Sequence, residues 1–212
     1  MKQVLYLYGI VWALIVPLFA LPLPTQARER FKIVIDAGHG GKDQGAAGRK
    51  IQEKEVTLKI AKRAEKYIRR RTRGVDVILT RERDEFISLN ERANFANFCE
   101  ADLFISIHAN SARGYAEGTE TFVWSKRHNP WSLKLARLIQ KEYTERAKRK
   151  NRGVKKANFA VLRNTNMPAV LTEVGFISNA KEEKYMKSRR GRRKLAYCIY
   201  QAVKQYLNSL DE

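Results

Sequence analysis

The chain has 212 residues, 44% of them hydrophobic, which fits one domain with one well-formed core and excludes a disordered chain. Its formal net charge is +20, a field that draws polyanions from a distance. The basic residues are spread along helical stretches without a recognition motif, which argues against nucleic acid as the partner.

Residues 1–27 differ from the rest. Lys2 is their single charge, and an apolar run from Val4 to Leu21 is followed by Pro-Leu-Pro-Thr-Gln-Ala27. This pattern reads as a secretory signal peptide with cleavage after Ala27. A retained membrane anchor is the alternative, since the run is almost long enough to span. Pro17, Pro22 and Pro24 interrupt a continuous spanning helix. Either way residues 28–212 form an exported domain, expected in the periplasm or cell envelope, where anionic envelope polymers become the expected partners of the charge.

From Arg28 onward, apolar strands alternate with amphipathic helices. Strands are predicted over Phe31–Asp36, Val75–Thr80, Leu103–Ile107, Thr119–Trp124 and Ala169–Val174. Helices are predicted over Val56–Arg70, Pro130–Lys150, Lys181–Lys187 and Arg190–Leu207, with a further one over Ser88–Glu100. Ser88 and Glu91 have the spacing of a capping box at its start. Ala160–Arg163 reads as short and extended. This alternation predicts a single α/β domain with an open, twisted, mostly parallel sheet covered by helices on both faces. Cys99 and Cys198 both fall in helical patterns, and two buried thiols are expected.

In such sheets ligands bind beyond the carboxyl ends of the strands. Three strand ends carry chemistry here. The first runs Asp36-Ala-Gly-His39-Gly-Gly, the third Ile105-Ser-Ile-His108-Ala-Asn, and the last Leu171-Thr-Glu173-Val-Gly-Phe. His128 lies in a polar turn and is expected to be exposed. Glu173 sits in an apolar run, and a buried carboxylate costs several kcal/mol unless something compensates it. A divalent cation would account for all three residues. Zinc takes imidazole nitrogen and carboxylate oxygen, and a catalytic site uses three protein ligands plus a water. Two histidines and one more carboxylate would complete the set, leaving Glu173 to accept a proton. Asp43, Glu53 and Glu55 are the candidates for that third ligand, and spacing alone does not choose among them. The chain has no His-Glu-x-x-His, no phosphate-cradling glycine loop and no Gly-x-Ser-x-Gly elbow.

Five ordered blocks carry a family resemblance: Val34-Ile-Asp-Ala-Gly-His-Gly-Gly-Lys-Asp43, Glu53-Lys-Glu-Val-Thr-Leu58, Leu79-Thr-Arg81, Ala101-Asp-Leu-Phe-Ile-Ser-Ile-His-Ala-Asn110 and Leu171-Thr-Glu-Val-Gly-Phe-Ile-Ser-Asn179. Over about Lys32 to Leu207 the chain resembles the zinc-dependent N-acetylmuramoyl-L-alanine amidases of bacterial cell-wall turnover, the amidase-3 type. The resemblance implies one Zn2+ per chain held by His39, Glu53 and His108, with Glu173 as the catalytic carboxylate. It also implies peptidoglycan as substrate, cut at the amide between the lactyl group of N-acetylmuramic acid and L-alanine of the stem peptide. The implied use is cell-wall turnover or daughter-cell separation.

Some amidases of this type carry an inserted helix that plugs the site until an activator protein removes it. The short segment between Ser111 and Lys134 predicts an open site here. Arg81 and Asn110 fall inside the matching blocks, where a structural role and substrate contact are both open, and Arg163 and Asn164 are candidates to line the cleft. Two rival readings have distinct signatures. A catalytically silent wall-binding protein of the same fold would lack a ligand or Glu173, and none is missing. An anionic-polymer-binding protein would bind through charge alone and lose binding with salt.

Overall fold

The computed structural model describes residues 30–113, 115–126 and 128–210. Residues 1–27, expected from the sequence to be a signal peptide or anchor, lie outside the described residues. Among the described residues, no helix is long and apolar enough to cross a membrane.

Six strands form one sheet: β1 (Phe31–Ala37), β2 (Val75–Leu79), β3 (Leu103–Asn110), β4 (Thr119–Trp124), β5 (Asn151–Ala157) and β6 (Ala169–Phe176). Their order is β2-β1-β3-β6-β4-β5, and all neighbours are parallel except β4 against β6. β3 and β6 are buried along nearly their whole lengths, which is why they read as near-continuous apolar runs.

The helices are α1 (Glu53–Arg71), α2 (Leu89–Phe98), α3 (Pro130–Glu145), α4 (Ala160–Arg163), α5 (Ala180–Lys187) and α6 (Arg189–Asn208). One face of the sheet packs Ile33, Ile35, Ile105 and Ile107 against Ile60 and Ala64 of α1, Leu135 and Ile139 of α3, and Ile199 and Val203 of α6. The other face packs Val34, Phe104 and Leu171 with Ala96 of α2 and Val161 and Leu162 of α4. Helices therefore cover both faces, as the alternating pattern predicts.

Four elements differ from the sequence expectation. The helix starting at Pro130 ends at Glu145, and Asn151–Ala157 forms an edge strand that the basic, non-alternating sequence Asn-Arg-Gly-Val-Lys-Lys-Ala conceals. Ala160–Arg163 is helical rather than extended, because Val161 and Leu162 both turn into the second core. α1 begins at Glu53, three residues before the predicted start. The capping box is present: Ser88 accepts from the Glu91 amide while Glu91 accepts from the Ser88 amide. Cys99 and Cys198 are both free, Cys198 buried and Cys99 only half-buried at the C-cap of α2.

The order places the site. From β1 the chain crosses to β2 on one side, then returns to β3 on the other. The crevice beyond β1 and β3 is thus a topological switch point, the favoured ligand position in open α/β sheets. His39 follows β1, and His108 lies near the end of β3.

Candidate metal centre

The turn after β1 is held by buried arginines. His39 has φ of 61°, in the left-handed region that non-glycine residues seldom adopt. Arg92 of α2 donates to the His39 carbonyl (2.7 Å) and the Ala37 carbonyl (2.7 Å), and pairs with the buried Asp36 carboxylate at 2.6 Å. Arg81 donates to the carbonyls of Ala37 and Gly38 at 2.9 Å each and of Lys54 at 2.8 Å. Thr57 donates to the Gly38 carbonyl (2.8 Å). Carbonyls that no strand partner satisfies are therefore collected by two guanidinium groups, which keep His39 in its turn. Gly38 has no room for a side chain, since an added Cβ would lie 2.4 Å from His108 Cε1.

Donor atoms of His39, Glu53 and His108 converge within 4.8 Å of one another. Glu53 is the first residue of α1, where the positive end of the helix dipole favours a carboxylate. Its Oε1 lies 3.2 Å from His39 Nε2 and 2.9 Å from His108 Nδ1, and accepts from the Ala109 amide at 2.9 Å. Its Oε2 accepts from the Ala46 amide at 2.8 Å. Asp43 Oδ2 accepts from His39 Nδ1 (2.8 Å), which leaves Nε2 as the ring nitrogen that faces Glu53.

Burial opposes charge on every member of this group, yet the members overcome it for one another. The two imidazoles hold the Glu53 carboxylate far below its usual range. Glu53 in turn pulls both rings above the ordinary histidine value, with help from Asp43 at His39. The group as a whole attracts positive charge, whether protons or a metal cation. The donors also suit zinc in kind and spacing. Ligands about 2.0–2.2 Å from a tetrahedral ion stand about 3.3–3.6 Å apart, close to the His39–Glu53 separation.

Glu173 faces the same centre. In the parallel register of β3 and β6 it stands beside His108, and it is buried, with a relative exposure of 9%. Its Oε2 has no hydrogen-bond partner among the described residues. Burial pushes this carboxyl up to about 7; the His108 ring opposes the rise, and the Glu53 and Glu120 carboxylates add to it. A buried carboxylate oxygen without a partner beside two imidazoles is a group awaiting a proton, a water or a substrate atom.

The structure thus brings His39, Glu53, His108 and Glu173 together. Of the rival third ligands, Glu55 is exposed and pairs with Lys59 at 3.0 Å, and Asp43 serves the far side of the His39 ring. Glu53 was not distinguishable by spacing because the chain folds back through Ala46 to deliver it. Arg81 is a buried structural cation, and Asn110 donates to Glu120 Oε1 at 2.7 Å. Asn164 sits at the rim, bonded to Asn90 at 3.0 Å, while Arg163 bonds to Asn158 and Asn164. His128 is exposed, as expected.

Three residues escaped the sequence reading. Asp36 and Arg92 form the buried pair behind the turn, and Glu120 stands across from Glu173 on β4. A charged residue inside an apolar strand, as Asp36 is, was the available signal. A cleft of about 430 Å³ opens at His39 and His108, bordered by Phe86, Ile87, Leu89, Asn90 and Ala160. Among the described residues, no helix lies between β3 and β4 to cover it.

Residues 33–205 match the family profile Amidase_3, described as N-acetylmuramoyl-L-alanine amidase. The chain belongs to this family. It is 41% identical over 157 residues to the sporulation-specific N-acetylmuramoyl-L-alanine amidase of Bacillus subtilis, covering 74% of this chain and 60% of that protein. It is 39% identical over 175 residues to the N-acetylmuramoyl-L-alanine amidase LytC of the same organism, covering 82% of this chain and 35% of LytC. The chain therefore spans less than two thirds of these two relatives.

Among solved structures, an N-acetylmuramoyl-L-alanine amidase from Clostridium difficile 630 superposes with a TM-score of 0.81 at 35% identity, covering 85% of this chain and 98% of that one. The catalytic domain of the amidase CwlV from Bacillus (Paenibacillus) polymyxa gives 0.78 at 38% identity, with coverage of 84% and 98%. As a member of the N-acetylmuramoyl-L-alanine amidase family, this chain is an amide hydrolase. The Glu173 carboxyl and the three converging donors lie where its sheet opens.

Proposed function

We propose that this amidase hydrolyses the amide between N-acetylmuramic acid and the L-alanine of the stem peptide in peptidoglycan, in a zinc-dependent reaction. The observation that carries the reading is the convergence of His39, Glu53 and His108 beside the unpartnered carboxyl of Glu173. When bound, zinc would supply a Lewis acid that polarises the scissile carbonyl and acidifies water.

The remaining work falls to the chain. Asp43 keeps the His39 ring in the tautomer that presents Nε2, and the Ala46 and Ala109 amides fix both oxygens of Glu53. Glu173 takes a proton from the attacking water and returns it to the leaving amine of L-alanine. A carboxyl pushed up to about 7 suits both transfers near neutral pH. The absence of a covering helix among the described residues supports a site that glycan-linked peptide enters without prior opening. The same proposal places the chain outside the cytoplasm and assigns it to wall turnover or daughter-cell separation.

The test is the purified protein incubated with peptidoglycan, with chelator and with zinc restored, and products read by mass spectrometry. Free stem peptides beginning with L-alanine, lost with chelator and regained with zinc, are the expected result. Intact muropeptides from zinc-loaded protein would sink the reading.

A second role draws on the surface charge. Arg71, Arg146, Lys148, Arg190, Arg193 and Lys194 line a groove of about 1000 Å³, away from the cleft, whose lining among the described residues has no acidic member, although Arg146 pairs with Glu142 at 2.6 Å. Arg71 lies over Tyr67 at 5.8 Å and Arg146 over Tyr197 at 5.6 Å. This groove favours retention on anionic envelope polymers.

A further inference from the structure

The polar row that begins at the metal centre does not stop at Glu173. Across the sheet, His108 on β3 stands beside Glu173 on β6, and Glu173 stands opposite Glu120 on β4. Partners in register share a face of the sheet, so these three side chains form one line. The line ends on β5, where Glu120 Oε2 accepts from Arg152 Nε at 2.8 Å and from Lys155 Nζ at 2.5 Å.

That double contact requires a departure from regular geometry. Residues 152 and 155 are three apart, and in an unbroken strand they would point to opposite faces. Gly153 has φ of +86°, and the β4–β5 register shifts between Thr119 and Thr121. The irregularity turns both cations onto the face that carries Glu173. Arg152 is further set by the Phe176 ring, 4.8 Å from its guanidinium carbon.

The charges do not cancel. Two cations share the buried Glu120 carboxylate, whose other oxygen is taken by Asn110. Their side chains remain 33% and 39% exposed, so one positive charge is left facing solvent beside the catalytic row. The cleft on the other side of the centre is different, bordered by the exposed Phe86 and Leu89. A substrate with a neutral sugar on one side of its amide and a peptide bearing carboxylates on the other would lie across the centre in one direction only.

We propose that Arg152 and Lys155, held by Glu120, form a subsite that binds a carboxylate of the stem peptide and so sets its direction through the cleft. The inference rests on the muramoyl-L-alanine reading above. Neighbouring strands are about 4.8 Å apart, which puts the pair about 5–10 Å from Glu173. An extended peptide advances about 3.3 Å per residue, so the carboxylate belongs to the second or third residue beyond the scissile bond.

Two synthetic N-acetylmuramoyl tripeptides, identical except that one has every peptide carboxyl amidated, separate the possibilities. The zinc-loaded wild-type protein should cleave the acidic substrate with kcat/KM about ten- to a hundred-fold above the amidated one, as the loss of a charge-assisted contact implies. In Lys155→Gln and Arg152→Gln that ratio should collapse toward one, mainly through KM. Lys155→Gln leaves Glu120 paired with Arg152, which guards against simple misfolding. A wild-type ratio near one, or variants that weaken both substrates equally, would overturn the subsite while leaving the amidase reading intact. Cleavage of neither substrate by wild type would overturn both.

Discussion

Glu173 combines burial, an oxygen without a hydrogen-bond partner among the described residues, and a carboxyl pushed up to about 7. Glu173→Gln keeps the shape and removes the proton acceptor. It should lower kcat on muramoyl-peptide by about 10²–10⁴-fold, while zinc content measured by atomic absorption stays at the wild-type level. Loss of zinc together with activity would instead make Glu173 part of the cation's own shell. Asp43→Asn tests the far side of the His39 ring. It exchanges a carboxylate for an amide at the 2.8 Å contact with Nδ1 and should weaken zinc affinity by about 10–100-fold in a calorimetric titration. Gly38 makes a steric prediction at the same scale. Gly38→Ala drives a methyl into the His108 ring and should abolish zinc binding with little change in far-UV circular dichroism.

Between elements, the Asp36–Arg92 pair couples β1, α2 and the His39 turn. Burial alone would raise the Asp36 carboxyl, but Arg92 and the Ser106 and Thr80 hydroxyls outweigh it and hold the group below the ordinary aspartate value. A depressed folded value means stabilisation that is present above the unfolded value and lost as pH falls through the folded one. The contribution should therefore be complete above about pH 5 and fade below about pH 4. Arg92→Met leaves a buried carboxylate unpaired and should cost about 3–5 kcal/mol. In urea unfolding at pH 7 and pH 3, the gap between wild type and Arg92→Met should narrow at the lower pH. A gap independent of pH would show that Arg92 acts through packing alone.

At the scale of the molecule, the charge and the centre are separable. If the basic groove tethers the enzyme to an anionic polymer, association with purified teichoic acid should fall steeply between 50 and 500 mM salt and survive chelation. Hydrolysis of a small, neutral muramoyl substrate should show the opposite sensitivities. Zinc should also raise the melting temperature in a concentration-dependent way, because a cation that binds only the folded chain stabilises it by mass action.

Much of this was legible in the order of residues. Apolar runs such as Phe31–Asp36 and Leu103–Ile107 mark buried strands, because burial on both faces leaves no room for polar alternation. His39, His108 and Glu173 mark the candidate site, because ligands of open α/β sheets bind beyond strand ends. What the sequence by itself determined was the α/β class, the main helices and the residue types at those ends. Only the tertiary structure decided that Asn151–Ala157 is a strand, since an edge strand rich in lysine has no periodicity to read. The tertiary structure likewise separated the duties of Glu53, Asp43 and Glu55, three acids within one loop and its helix. Their roles depend on how the chain folds back over the end of β1. Local pattern records which face of an element is buried, but distances between elements are properties of packing, and the site is made of such distances.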